Sequence, residues 1–331
     1  MAVGSAAVAG EHFQVITMGR VSIDVYPEQI DRTLEDVETF SKSVGGSPTN
    51  VAVAAARHGA RTAVITKVGD DAFGRYIRRE LEQAFAVDPR YVSVDPGLRT
   101  PLAFCEIHPP DNFPLLFYRE PRAPDMNLGY ADVPLDAVIG CELFWTTGVG
   151  LSGEPSRSAT LAAMEARRRE SPGATTVHDL DYRPMLWDSP NEAREMAERA
   201  VRNATVVVGN TEEVEMATGT DDPERASRAL LDRGVQVAIV KRGGEGLLAR
   251  TADGRAFEVP PIPVEVKNGL GAGDSFGGAL CHGLVSGWDL ERALRFANAA
   301  GAIVASRMRC SVDMPFPDEV EGLLWERSRD A

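Results

Sequence analysis

Six short runs rich in apolar and β-branched residues, 13–18, 62–67, 143–146, 175–178, 205–208 and 235–240, alternate with stretches whose apolar positions recur at helical spacing. This alternation predicts an α/β fold, a mostly parallel sheet flanked by helices on both faces. Polar residues and glycines follow each run: Gly19 and Asp24; Gly69 and Asp70; Thr147 and Gly148; Asp179, Asp181 and Arg183; Asn210 and Glu213; then Lys241 to Gly246. Ligands of open α/β sheets bind outside the carboxyl ends of the strands, so one cleft can collect all of these groups. Two segments break the rhythm. Residues 20–44 are polar without a helical stripe, and the proline-rich stretch 95–125 holds two short apolar strands, 102–107 and 115–118, joined by a turn at Pro109-Pro110-Asp111-Asn112. They predict a small β-sheet lid over the strand ends. The expected organisation is a flexible N-terminus over 1–12, one domain over 13–325 that includes the lid segments, and a C-terminal tail over 326–331.

Residues 264–276 carry the most chemistry. Val264 to Val266 alternate as a strand would, three glycines follow (Gly269, Gly271, Gly273), and Asp274-Ser275 opens an apolar helix. The amides of Gly271, Ala272 and Gly273 at a helix N-terminus suit phosphate-like charge. A carboxylate at Asp274 is costly beside an anion unless it takes a proton from an attacking hydroxyl. The other reading of Asp274 is an ordinary helix N-cap. A second glycine motif, Gly45-Gly46-Ser47-Pro48-Thr49-Asn50, precedes a helix of small residues; its glycines let backbone approach a small polar ligand, and Asn50 offers a donor and an acceptor.

Other chemistries lose their supports. The chain has no GxxxxGK[ST] and no HExxH, and Gly150-Leu151-Ser152-Gly153-Glu154 fails GxSxG at its last position. The 331 residues, 44% hydrophobic and 25% charged, describe an ordinary globular chain. With 49 acidic and 35 basic residues the net charge is −14, and the one tight basic run, Arg167 to Arg169, reads as a solvated helix face, so no nucleic-acid partner is expected. No apolar run reaches membrane-spanning length, so no membrane partner is expected either. Cys105, Cys141, Cys281 and Cys310 lack metal spacing and read as buried reduced thiols of a cytoplasmic protein.

The two glycine motifs together, with the supporting positions in the right order from about Phe13 to Leu323, resemble the PfkB (ribokinase-like) carbohydrate kinase family. The resemblance implies a ribokinase-like fold and an ATP- and Mg2+-dependent kinase acting on a small sugar. Asp274 would be the catalytic base and Gly271, Ala272 and Gly273 the anion hole, with Arg183 neutralising charge on the transferred group. Asp24, Gly45, Gly46 and Asn50 would hold the sugar. Asn210 and Glu213, in Asn210-Thr211-Glu212-Glu213, would organise the metal and its waters. Lys241, Gly243, Gly246 and Asn298 would flank the nucleotide. The segments 40–50, Phe117-Tyr118-Arg119-Glu120 and 179–187, with Asp181 where keto-sugar-acid kinases have Asn, point within the family to a sugar acid. Arg119 is the first choice to grip its carboxylate, ahead of Arg99 and Arg122. Fructose, a nucleoside or another keto acid are the alternatives, as is a catalytically silent sensor. Asn268 and Gly269 replace the signature's Asp-Thr, which bears on the monovalent cation that many relatives bind. The lid edges are where two copies would pair as a homodimer.

Overall fold

Successive residues of the run 143–147 serve two different cores. Phe144 packs with Ile16, Met18 and Met164, whereas Leu143 and Trp145 pack with Val15, Phe276 and Phe296. A strand buried on both faces needs helices on both, and the computed structural model, which describes residues 12–330, has them.

The strands in chain order are β1 (Val15–Met18), β2 (Ser22–Pro27), β3 (Phe40–Gly45), β4 (Thr62–Gly69), β5 (Val87–Asp88), β6 (Val92–Asp95), β7 (Leu102–Cys105) and β8 (Leu115–Tyr118). They continue with β9 (Leu143–Thr147), β10 (Thr175–Asp179), β11 (Val206–Asn210), β12 (Val237–Lys241), β13 (Leu247–Thr251) and β14 (Ala256–Val259). The large sheet runs β14-β13-β12-β11-β10-β9-β1-β4-β5, with β6 also on β4. Its strands are parallel except β13 and β14. All six predicted runs are strands of this sheet. The two irregular segments form a separate sheet in the order β3-β2-β7-β8, backed by a third core in which Val21, Ile23 and Val44 meet Ile77 and Leu81.

Three expectations change. Residues 264–266 are not a strand: the alternation is real, but Pro260, Pro261 and Pro263 deprive this stretch of ladder donors, and the chain is instead tied to a helix end by Lys267 N–H donating to Ala305 O at 2.9 Å. Arg167 is fully buried rather than solvated, and its guanidinium donates to the carbonyls of Val138, Ile139, Glu142 and Thr175. It satisfies chain ends that would otherwise be buried without partners. No tail separates at 326, because the last helix continues over Pro317–Asp330. The predicted N-terminal segment lies almost wholly outside the described residues.

Candidate active site

Two helices packed at very short range create the centre of the site. A Cβ at Gly278 would lie 2.3 Å from Ala54 Cβ and 2.7 Å from Val51 O, so only glycine lets the helix Ala272–Val285 sit this close to the helix Ser47–Arg57. The approach brings the two glycine motifs together. Ser47 Oγ donates to Asp274 Oδ1 at 2.7 Å and Asn50 Nδ2 donates to Asp274 Oδ2 at 2.8 Å. Asn50 is fixed in turn by Ser311 Oγ, which donates to its Oδ1 at 2.6 Å. Asp274 is therefore not an N-cap. That position is Gly271, at φ 83, and the Asp274 side chain is aimed across the cleft. Burial pushes its carboxyl up to about 6, against the two hydrogen bonds and with help from Asp181 and Asp179.

Beside Asp274 is an anion-binding end. The first amide in the regular helical ladder is that of Ser275, donating to Gly271 O at 2.9 Å, so the Gly273 amide ahead of it is left out of the helical ladder. Gly271 and Gly273 line that cavity, of about 250 Å³. Ala272 does not, and its amide is 3.4 Å from Gly269 O. Lys241 Nζ would be 3.3 Å from a Cβ on Gly273, which places an ammonium beside the amides. It also stands 4.0 Å from Asp179 Oδ2. Burial holds Asp179 up to about 7, with Lys241 opposing and Glu213 and Asp181 reinforcing. Glu213 carries two duties: its carboxylate accepts from Asn210 N–H at 2.7 Å, completing a capping box, and it lines the cavity. Burial raises its carboxyl as well.

The other end is closed by the small sheet. Ser22 Oγ at 2.8 Å and Tyr26 OH at 3.2 Å donate to the Asp24 carboxylate, which burial keeps high. Any side chain at Gly45 would collide with it, because a Cβ there would lie 2.0 Å from Asp24 Cγ. Asp181, at the unusual φ of 30, pairs through Oδ1 with Arg183 Nη2 at 3.1 Å, and its Oδ2 has no partner.

Asp24, Gly46, Asn50, Asp181, Arg183, Asn210, Glu213, Lys241, Gly271, Gly273 and Asp274 thus share one cavity. Gly243, Gly246 and Asn298 do not line it; Asn298 Nδ2 donates to Pro260 O at 3.0 Å. The expectation for Arg119 is overturned. Its guanidinium is buried in an ion pair with Asp125, itself 1% exposed and accepting from Val21 N–H at 2.9 Å. Arg99 and Arg122 are exposed and away from the cavity. Sequence reasoning missed Arg20, Tyr26 and Cys310, all of which line it. Arg20 directly follows Gly19 at the carboxyl end of β1, where the strand-end rule points.

The profile of the pfkB family carbohydrate kinases matches residues 13–317, and the chain belongs to that family. It is accordingly a carbohydrate kinase, a phosphotransferase acting on a sugar hydroxyl. Among curated relatives, the 5-dehydro-2-deoxygluconokinase of Geobacillus thermodenitrificans is 35% identical over 311 residues, spanning 92% of this chain and 91% of its own. The protein of that name from Bacillus subtilis is 33% identical over 320 residues, spanning 96% and 97%. A provisionally assigned ribokinase II from E. coli, solved in complex with ATP and Mg2+, superposes with a TM-score of 0.86 at 26% identity, covering 95% of this chain and 99% of that one.

Proposed function

We propose that this kinase transfers the γ-phosphoryl of ATP to the 6-hydroxyl of 5-dehydro-2-deoxy-D-gluconate. The observation that carries the reading is Asp274, released from helix capping, oriented by two neutral donors, and set between the anion-binding amides and the Asp24 end of the cavity. ATP with its divalent cation supplies the phosphoryl group and the leaving group. Asp274 takes the hydroxyl proton as the oxygen attacks, and Asp24, Gly46 and Asn50 hold the sugar for it. The amides of Gly271 and Gly273, with Lys241 and Arg183, meet the phosphate charge.

The carboxylates fit a divalent ion held through water and phosphate oxygens. Asp181 Oδ2 lacks a partner and Asp179 and Glu213 are buried beside it, while no group of three or more His, Cys, Asp or Glu among the described residues forms a direct metal cage. Magnesium characteristically keeps such a partly hydrated shell. The nucleotide would extend past Lys241 toward the Gly243–Gly246 turn and Asn298. Asn268 donates to Met308 O at 2.9 Å and accepts from Leu270 N–H at 3.0 Å, which supports a loop braced by protein atoms rather than by a monovalent cation. Phe40, Leu116 and Tyr118, exposed on the small sheet, support pairing of two copies through the lid. The names of the relatives support a place in myo-inositol catabolism, and four buried free thiols support the cytoplasm.

The test is a coupled ADP-release assay over 5-dehydro-2-deoxygluconate, 2-keto-3-deoxygluconate, fructose and ribose. The highest kcat/KM is expected on the first. A preference for fructose or ribose would end the sugar-acid reading, and ATP binding without turnover on any of them would favour a silent sensor.

A further inference from the structure

We propose that Arg20 is the residue that recognises the carboxylate of the substrate, an inference that rests on the sugar-acid reading above. Arg20 lines the cavity beside Arg183 and Asp181, and the charges of Arg119 and Asp125 act on it from behind the lining. Arg119 is taken by Asp125 and Arg183 by Asp181. Arg20 is the cation left over. It is 8% exposed and lines the cavity, and among the described residues no carboxylate comes within ion-pair distance of it. Its Nε and Nη1 have no hydrogen-bond partner. Asp24 also senses its charge, but the Asp24 oxygens are engaged by Ser22 and Tyr26.

A buried guanidinium without an acceptor is a costly arrangement, and a bidentate carboxylate is the ligand whose geometry and charge relieve it. The location suits a six-carbon acid. Its reacting hydroxyl and its carboxylate are at opposite ends of the carbon chain, so the carboxylate must lie away from Asp274. Arg20 lies at the small-sheet end, its guanidinium carbon 5.6 Å from the centre of the Phe117 ring on β8. That contact backs the guanidinium and ties it to the small sheet. Arg20 thus acts as a specificity-determining residue.

The test compares wild type with Arg20→Gln and Arg20→Lys. The substrates are 5-dehydro-2-deoxygluconate, its neutral primary amide, and fructose. Wild-type turnover of the acid comes first, because its absence would reject the sugar-acid reading itself. Given that turnover, Arg20→Gln should cut the acid-over-amide ratio of kcat/KM about 10- to 100-fold, mainly through KM, as loss of a charge-assisted pair requires. Arg20→Lys should recover only part of it, since an ammonium lacks the planar fork. A readout independent of activity is the thermal shift given by the acid alone: it should be larger than that of the amide in wild type, and the difference should vanish in Arg20→Gln. Should Arg20→Gln fail to fold, the wild-type acid-over-amide difference together with its reduction in Arg20→Lys decides. An unchanged ratio, or equal losses on acid and amide, overturns the proposal, because a guanidinium serving the phosphates or merely balancing Asp181 would affect both substrates alike.

Discussion

Two sets of carboxylates around one cavity are handled in opposite ways. At the helix end, Asp274 receives hydrogen bonds from a hydroxyl and an amide, both neutral. Around the small sheet, Asp125 and Asp181 are each answered by an arginine, while Asp24 has neutral donors of its own in Ser22 and Tyr26. Neutral donors orient a carboxylate while leaving burial to raise its affinity for a proton, whereas a guanidinium answers its charge directly. Asp274 is thereby suited to accepting a proton, and the arginine-paired carboxylates to holding fixed charge.

The strongest way to break this contrast is to remove the basicity of Asp274 while keeping its shape. Asp274→Asn should lower kcat by roughly two to four orders of magnitude, with ATP affinity measured by calorimetry nearly unchanged. Near-normal turnover would mean that the proton leaves by another route and that the two ends differ less than their hydrogen bonds imply.

At the small-sheet end the largest effect should be on stability. Arg119→Ala strands the Asp125 charge in a buried place, and breaking such a pair from one side costs about 3–5 kcal/mol. Adding Asp125→Asn, which keeps an oxygen for Val21 N–H, should recover more than half of that loss in urea unfolding. If the single variant loses under about 1 kcal/mol, the pair behaves like a solvated surface bridge, and the view of this corner as fixed buried charge fails.

The sheet and the helix end were legible in sequence because each has a local signature. β-branched runs buried on two faces announce parallel strands, and glycines before a helix announce exposed amides. Asp274 could be read for the same reason, although its partners Ser47 and Asn50 lie more than 220 positions away. The arginines were harder. Arg119, Arg122 and Arg99 sit in one segment, and their fates depend on which carboxylate the fold delivers to each. Asp125, six residues on from Arg119, pairs with it while accepting from Val21 N–H. Arg167 was misread for a related cause: a run of three arginines has a helical phase, and the one that faces inward finds carbonyls rather than water. Residues 264–266 misled in the other direction, since alternation reports only which side is covered, and here the cover is a helix rather than a strand.

The smallest expected effect sharpens the contrast most directly, because it changes one neutral donor and leaves every charge in place. As the proposed base, Asp274 must be ionised to accept the hydroxyl proton, and its carboxyl is held up to about 6. The log of kcat/KM should therefore be flat above neutrality and fall with a slope approaching one as pH drops through that value. The Ser47 hydroxyl stabilises the ionised form. Ser47→Ala removes it, so the affinity of Asp274 for its proton rises and the acid limb moves to higher pH. A displacement of about one unit corresponds to 1.36 kcal/mol of lost preference for the charged form, which is a rate loss of about fivefold at pH 6, approaching about tenfold at lower pH, with little change near pH 8. The measurement is the full pH profile of both proteins on the same substrate. A uniform loss at every pH would mean that Ser47 only positions the carboxylate, and a limb displaced toward acid would contradict the role assigned to neutral donors at this end of the cavity.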